Sequence, residues 1–186
     1  MRKIDKNKQR AIKQAVFDLS QSEGLFNMTT AKIAKTAGVS PATIYLYYQD
    51  KTDLLSRIYE EVKTNLHDGL DKVINLEDRL DEQVRQTIDY TIKQYRKYPK
   101  QAHFMDTLWN NSELLDEKAV EFGNTMEDAL SELLDRIQAS EEYADVSRDI
   151  LNSFLSVPTT VLEMDPQMDG KKLELISEMV IKAIKK

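Results

Sequence analysis

The sequence predicts an all-α protein of about nine helices, and three observations carry that prediction. Apolar residues recur at three- and four-residue spacing along nearly the whole chain. No stretch alternates apolar and polar residues as a half-buried strand would. Five glycines and four prolines among 186 residues are too few for a turn-rich β-sandwich, a collagen-like chain or a low-complexity linker.

The elements follow in order. From Ile4 to Leu19, the positions Ile12, Ala15, Val16 and Leu19 keep a 3.6-residue period, and Gly24 follows as a stop signal. Short helices are expected over Thr29–Thr36 and from Ser40 to about Tyr47, separated by Ala37-Gly38-Val39. Asp50 opens a long helix expected to reach Ile74 on the stripe Leu54, Ile58, Val62, Leu66, Leu70 and Val73. At ~1.5 Å per residue it would run roughly 37 Å. Leu76, Leu80, Val84, Ile88, Ile92 and Tyr95 mark the next helix, which Tyr98-Pro99 should end. A short helix over 100–109 and a longer one over 115–137 come next, the latter carrying Leu115, Ala119, Phe122, Met126, Leu130, Leu133 and Ile137. Two helices, about 143–164 and 170–186, close the chain, and Pro158 should kink or interrupt the first of them.

Composition excludes several kinds of chemistry. Without cysteine there are no disulfides, thiolate zinc sites or cysteine nucleophiles. The histidines, His67 and His103, are too few and too scattered for a histidine-rich metal centre, so neither metal nor cofactor is expected. There is no glycine-rich phosphate loop, no Ser/His/Asp arrangement and no HExxH. The acid pairs Glu60-Glu61 and Glu141-Glu142 are neighbours in sequence and point to different helix faces. An enzyme is therefore not expected. No run of 18 apolar residues exists, and the charged start lacks an apolar signal core, so a cytoplasmic protein is expected.

Charge is distributed unevenly. The whole chain has a net charge of −6, which by itself argues against a polyanionic partner. Residues 1–57, however, carry ten Lys/Arg against five acids, a net of +5, and residues 58–186 carry 16 against 27, a net of −11. Two functional regions follow, one of them suited to approach nucleic acid.

The most informative stretch runs from Met28 to Lys51. Thr29 is a good N-cap for the first short helix, and Ala34 is small where a second helix must cross. Gly38 can take the positive φ of a tight turn. Ser40 can cap the second short helix, with Pro41 at its first position, where a missing donor costs nothing. Ile33, Val39 and Ile44 supply a small shared core. Two short helices joined by a three-residue turn containing glycine form a helix-turn-helix, whose second helix enters the major groove. That helix presents Ser40, Pro41, Ala42 and Thr43, small residues that permit close approach. Ala42 and the Thr43 methyl suit a thymine methyl, while Tyr45 and Tyr47 bring phenolic donors for phosphates. Lys51, in the first turn of the next helix, suits a phosphate as well. The same spacing also fits a capped helical hairpin whose tyrosines merely pack.

The run Thr29-Thr-x-x-Ile-Ala-x-x-Ala-Gly-Val-Ser-x-x-Thr43-Ile-Tyr-x-Tyr-Tyr-x-x-Lys51-x-x-Leu54 resembles the DNA-binding domain of the tetracycline-repressor (TetR) family of bacterial transcriptional regulators. The resemblance covers the first quarter to third of the chain. Its departures are mild: Tyr48 stands where phenylalanine is more usual, and Thr52 where an acid is common. It implies that Thr30, Lys32, Ser40, Pro41, Ala42, Thr43, Tyr45, Tyr47 and Lys51 contact DNA. Ala31 stands where other members often carry a base-contacting arginine, so one strong guanine reader is missing. Lys3, Lys6 and Lys8 either add phosphate contacts or form a tail.

The resemblance also implies a division into a reading domain at 1–50 and a helical effector-binding and dimerisation domain at 51–186, with 51–74 as connecting helix. The expected function is that of a repressor binding a palindromic double-stranded operator as a homodimer and released by a small-molecule effector. A regulator without such an effector, controlled by a protein partner, is the alternative. The last two helices would pair with their copies in a four-helix bundle, through Phe154, Leu155, Val161, Leu162, Ile176, Met179, Val180 and Ile184; the same faces fit a subunit core. An aromatic cluster with two methionines, comprising Tyr90, Tyr95, Phe104, Met105, Trp109, Phe122 and Met126, reads either as an apolar effector pocket or as ordinary core.

Overall fold

The computed structural model describes residues 5–125 and 129–186. Every regular element among them is helical. The α-helices are α1 (Lys6–Glu23), α2 (Thr30–Thr36), α3 (Pro41–Ile44), α4 (Lys51–His67), α5 (Leu80–Lys97), α6 (Pro99–Trp109), α7 (Glu117–Thr125), α8 (Ala129–Gln138), α9 (Arg148–Leu155), α10 (Val157–Met164) and α11 (Gly170–Ala183). Single 3-10 turns lie at Leu70–Lys72 and Ser112–Leu114. None of these helices is long and apolar enough to cross a membrane.

Among the described residues, two of the expected helices stand as two segments each. The helix expected over 115–137 is described as α7 and α8, on either side of residues 126–128, which lie outside the described set. The helix expected over 143–164 divides at Ser156, two residues before Pro158. Proline at 158 has no N–H to give to the carbonyl of residue 154, so it sits in the first turn of α10, where no donor is required.

A third difference concerns α4, which stops at His67 and not at Ile74. Gly69 takes a left-handed conformation (φ 95°) and the chain turns through Leu70–Lys72. The apolar stripe runs on past the break because Leu70 and Ile74 remain buried, although Val73 is exposed. Leu76, expected in the following helix, is exposed in the loop that precedes α5.

The helices form two compact units. The first comprises Met1–Asn65 and Lys100–Thr125, the second Leu66–Pro99 and Met126–Lys186. In the first unit, α1 to α3 and most of α4 share an interior with α6 and α7. Phe17 of α1 meets Phe104 of α6 edge to face, with ring centroids 5.4 Å apart. Lys100 pairs with Asp18 at 2.6 Å, and Arg57 of α4 reaches Asp116, just before α7, at 2.5 Å. In the second unit, Val84, Ile88, Leu133, Ile137, Leu151 and Val180 lie at the centre of one continuous core drawn from α5, α8, α9 and α11. The wholly buried Gln83 receives a hydrogen bond from Arg136 at 2.7 Å and donates to the carbonyl of Asp78 at 2.7 Å, so its amide is satisfied on both sides.

Candidate nucleic-acid interface

The first three helices and the start of α4 build the site. Asp5 caps α1, its carboxylate accepting from the N–H groups of Asn7 and Lys8. The buried face of α1, Ile12, Ala15, Val16 and Leu19, has the positions that periodicity assigned. Thr29 caps α2 by accepting from Lys32 N–H at 3.2 Å. Gly38 follows with φ 67°, and the Val39 N–H returns to the Ala34 carbonyl at 2.9 Å, which closes the turn. Ser40 then caps α3, accepting from Thr43 N–H at 3.3 Å, and Pro41 stands in the first turn. Ile33, Ala34 and Ile44 are buried and Val39 is half-buried, the small core on which the two helices cross.

The helical turn continues past α3, since Leu46 N–H donates to the Thr43 carbonyl and Tyr48 N–H to that of Ile44. Residues four apart therefore share a face. Ile44 and Tyr48 face the core, at 0% and 5% exposure. Ala42 and Leu46 lie about 200° away and are exposed. Tyr48, where phenylalanine is more usual, is packed inward. Asp50 and Asp53 form a reciprocal cap at the start of α4: Asp53 N–H donates to the Asp50 carboxylate at 2.9 Å, and Gln49 N–H to the Asp53 carboxylate at 2.8 Å.

The residues expected to touch DNA fall into two groups. Ser40, Pro41, Ala42 and Tyr45 are exposed together, with Thr43 partly exposed among them. Thr30 is half-buried at the start of α2, and its hydroxyl shares a 3.3 Å hydrogen bond with the Tyr45 hydroxyl. The other three already have partners inside the unit. Lys32 pairs with Glu23 and also donates to the Asn27 carbonyl at 3.1 Å. The Tyr47 hydroxyl lies 3.3 Å from both the N–H and the carbonyl of Asp5. The Lys51 ammonium donates to the Leu25 carbonyl at 3.0 Å, and burial lowers its pKa. Lys3 lies outside the described residues. Leu46, 62% exposed, escaped the sequence reading, although its place one turn beyond Ala42 was a usable signal.

The candidate effector residues are divided between the two units. Tyr90 and Tyr95 are buried in the second unit, the Tyr90 hydroxyl donating to the Asp68 carbonyl at 2.5 Å. Phe104, Met105, Trp109 and Phe122 belong to the first unit, and Met126 lies outside the described residues. Phe104 is wholly buried against Phe17, and Trp109 stacks on Tyr59. The first unit carries an open groove of about 440 Å³ along α7, beside Leu115, Val120 and Asn124. The second carries one of about 430 Å³ between α5 and α11, beside Arg85, Ile92, Arg96 and Leu173. Neither is lined by the aromatic cluster.

The candidate dimer residues divide as well. Leu155, Val180 and Ile184 belong to the second unit's core, and Leu162 is 1% exposed. Phe154 and Met179 are exposed, while Val161 and Ile176 are half-buried. Ile150, Val157 and Met164 extend the exposed set along α9 and α10, and Leu175 extends it on α11.

Known proteins resemble this chain in the helix-turn-helix segment and in the fold. Residues 14–58 match the family model described as bacterial regulatory proteins, tetR family. The fold resembles that of a TetR family transcription regulator from Marinobacter aquaeolei VT8, at 22% identity, 97% of each chain and a TM-score of 0.79. A TetR-family transcriptional regulator from Haemophilus influenzae RD is similar at 24% identity, 100% of each chain and a TM-score of 0.74. Among curated proteins, the nucleoid occlusion factor SlmA of Mannheimia succiniciproducens is 28% identical over 98 residues. That alignment covers 53% of this chain and 45% of that protein, so the match spans less than half the relative's length. Its counterpart from Haemophilus influenzae strain PittGG is 31% identical over 65 residues, 35% of this chain and 30% of that protein. The helix-turn-helix segment thus matches the family model of bacterial regulatory proteins, tetR family, over residues 14–58, and the whole chain shares its fold with solved regulators of that description.

Proposed function

We propose that the chain is a DNA-binding transcriptional repressor that grips a palindromic operator as a homodimer and releases it on binding a small-molecule effector. The observation that carries the reading is the capped, three-residue-turn pair α2–α3, with Ile44 and Tyr48 turned inward and Ser40 to Thr43, Tyr45 and Leu46 left outward. The +5 charge of residues 1–57 supports an approach to a polyanion, and the −11 charge of the remainder limits indiscriminate attachment elsewhere.

Dimerisation draws support from the second unit. Ile150, Phe154, Val157, Val161 and Met164 follow the i, i+4, i+7, i+11, i+14 spacing of one helical stripe, and Leu175 and Met179 offer a second on α11. Two apolar stripes on successive elements, exposed at every position but the half-buried Val161, suit a helical bundle with a second copy, and two-fold pairing gives two reading heads for two half-sites. The effector must prefer the DNA-free form for release to follow. Control by a protein partner is a second reading, favoured by the likeness to proteins named nucleoid occlusion factor SlmA.

Footprinting of the full chain on its own upstream region tests the main reading. Protection over a two-fold symmetric site about one or two helical turns long is expected; protection with no symmetry would contradict a dimeric reader. A thermal-shift screen of small apolar and cationic compounds separates the two modes of control. A compound that raises Tm and weakens DNA binding supports an effector, whereas ligands that stabilise the protein without changing its DNA affinity leave the protein-partner reading.

A further inference from the structure

The exposed face of α3 is unusual in what it lacks. No arginine occurs between Ala11 and Ser56, so neither α2 nor α3 carries a guanidinium to take the O6 and N7 of guanine. Its lysines are placed for other work: Lys32 pairs with Glu23, and Lys51 is turned to the Leu25 carbonyl. Lys35 is exposed, but on α2 and not on α3, where an ammonium suits a phosphate.

The polar groups of α3 are engaged with one another. Ser40 and Thr43 share a hydrogen bond between their hydroxyls at 2.9 Å, and the Ser40 oxygen also accepts from Thr43 N–H. The Tyr45 hydroxyl is held by Thr30, and the Tyr47 hydroxyl by the backbone of Asp5. What remains uncommitted on the outward face is apolar: Ala42, the Thr43 methyl and Leu46, with Ala42 and Leu46 one turn apart. Leu46, 62% exposed one turn beyond Ala42, makes this face the place where an apolar group of the groove can be covered. In the major groove there is one such group, the 5-methyl of thymine.

We infer that this head selects its half-site through thymine 5-methyl groups, with Ala42 and Leu46 as the specificity-determining contacts and no guanine read by a bidentate side chain. The inference rests on the DNA-reading function proposed above and specifies what is read. Removing one contacted methyl costs about fourfold in affinity, the value of one buried methylene-sized group.

The test begins with selection of preferred sites by the full chain from a random-sequence duplex library. The winning duplex is then resynthesised with deoxyuridine in place of thymidine at each position in turn, which removes the methyl and leaves base pairing intact. Thymine-containing half-sites, with an affinity loss of about fourfold at one or two positions, are expected. Leu46→Ala should bind more weakly and lose the thymine-to-uracil penalty at its own position, with Tm unchanged because the side chain is exposed. Half-sites dominated by G·C pairs, or affinity unchanged at every uracil substitution, overturn the inference and leave DNA binding standing. Enrichment of no sequence at all removes the DNA-reading function itself, and this inference with it.

Discussion

Trp109 lies flat against Tyr59, their ring planes 6° apart and their centroids separated by 6.1 Å, at the meeting of α6 and α4. The backbone of Gly123 in α7 completes the stack. A Cβ at that glycine would fall 2.3 Å from the Trp109 ring and 2.8 Å from the Tyr59 hydroxyl. Lys63 ties the same three helices, its ammonium 5.1 Å from the centre of the Trp109 ring and 2.8 Å from the Gly123 carbonyl.

Gly123→Ala should therefore destabilise the first unit by about 1–3 kcal/mol, the usual cost of overpacking. Because Trp109 is the chain's single tryptophan, its emission reports the site directly. A lowered Tm with altered tryptophan emission is expected; a Tm equal to that of the parent protein would show that the stack gives way without cost.

The exposed stripe of the second unit predicts opposite outcomes for neighbouring residues. Phe154→Glu and Met179→Glu place charge on exposed apolar positions and should yield a folded monomer by light scattering. Leu162→Ala, at a site 1% exposed, should instead cost about 2–5 kcal/mol in chemical denaturation. Dimers persisting in both charged variants would place the interface elsewhere.

Much of this arrangement was legible in sequence, and the parts that were not share a cause. The caps Thr29 and Ser40, the glycine turn and the inward Ile33 and Ile44 depend on neighbours within a few residues, so local spacing sufficed. Pro158 marked its own break for the same reason. Gly69 did not, because the stripe Leu66, Leu70, Ile74 stays buried on both sides of the turn and imitates a continuous helix. Tyr47 and Lys51 carry the right chemistry for phosphates, but their partners, Asp5 and Leu25, lie 42 and 26 residues away. Periodicity reports which residues are inside; it does not report which long-range acceptor a polar group has found.

Acid should destabilise the protein through three carboxylates. The Lys185 ammonium holds the Asp81 carboxyl below its ordinary pKa, and the Lys100 ammonium does the same for Asp18. Burial pushes the Asp116 carboxyl up, but the Ala119 N–H and the Arg57 guanidinium outweigh it and bring the net shift down. A folded-state pKa below the unfolded one means fewer protons bound when folded. The stabilisation is present above the unfolded value of about 4 and disappears as pH falls through the lowered folded values. Tm measured from pH 7 downward should stay level to about pH 5 and then drop. Asp81→Asn should flatten part of that slope, and an unchanged slope would show that the Lys185 contact is not formed in solution.

Tyr45→Phe removes the hydroxyl shared with Thr30 and leaves the ring in place. Weaker operator binding with Tm within about 1 °C of the parent is expected, since exposed positions seldom contribute more than ~0.5 kcal/mol. Identical operator affinity would show that this hydroxyl neither meets a phosphate nor steadies α3 for reading.

The first unit is discontinuous in sequence, and that bears on the order in which a nascent chain can complete it. Residues 5–65 leave the ribosome before residues 100–125, so Phe17, Asp18 and Arg57 await Phe104, Lys100 and Asp116. Until α6 and α7 have been made, the early helices present part of their apolar surface to solvent. At ~5–20 residues per second, that interval lasts several seconds. A gene fragment ending after α4 would reproduce this waiting state permanently, so the reading head is better isolated with the segment at 100–125 rejoined to it than cut away.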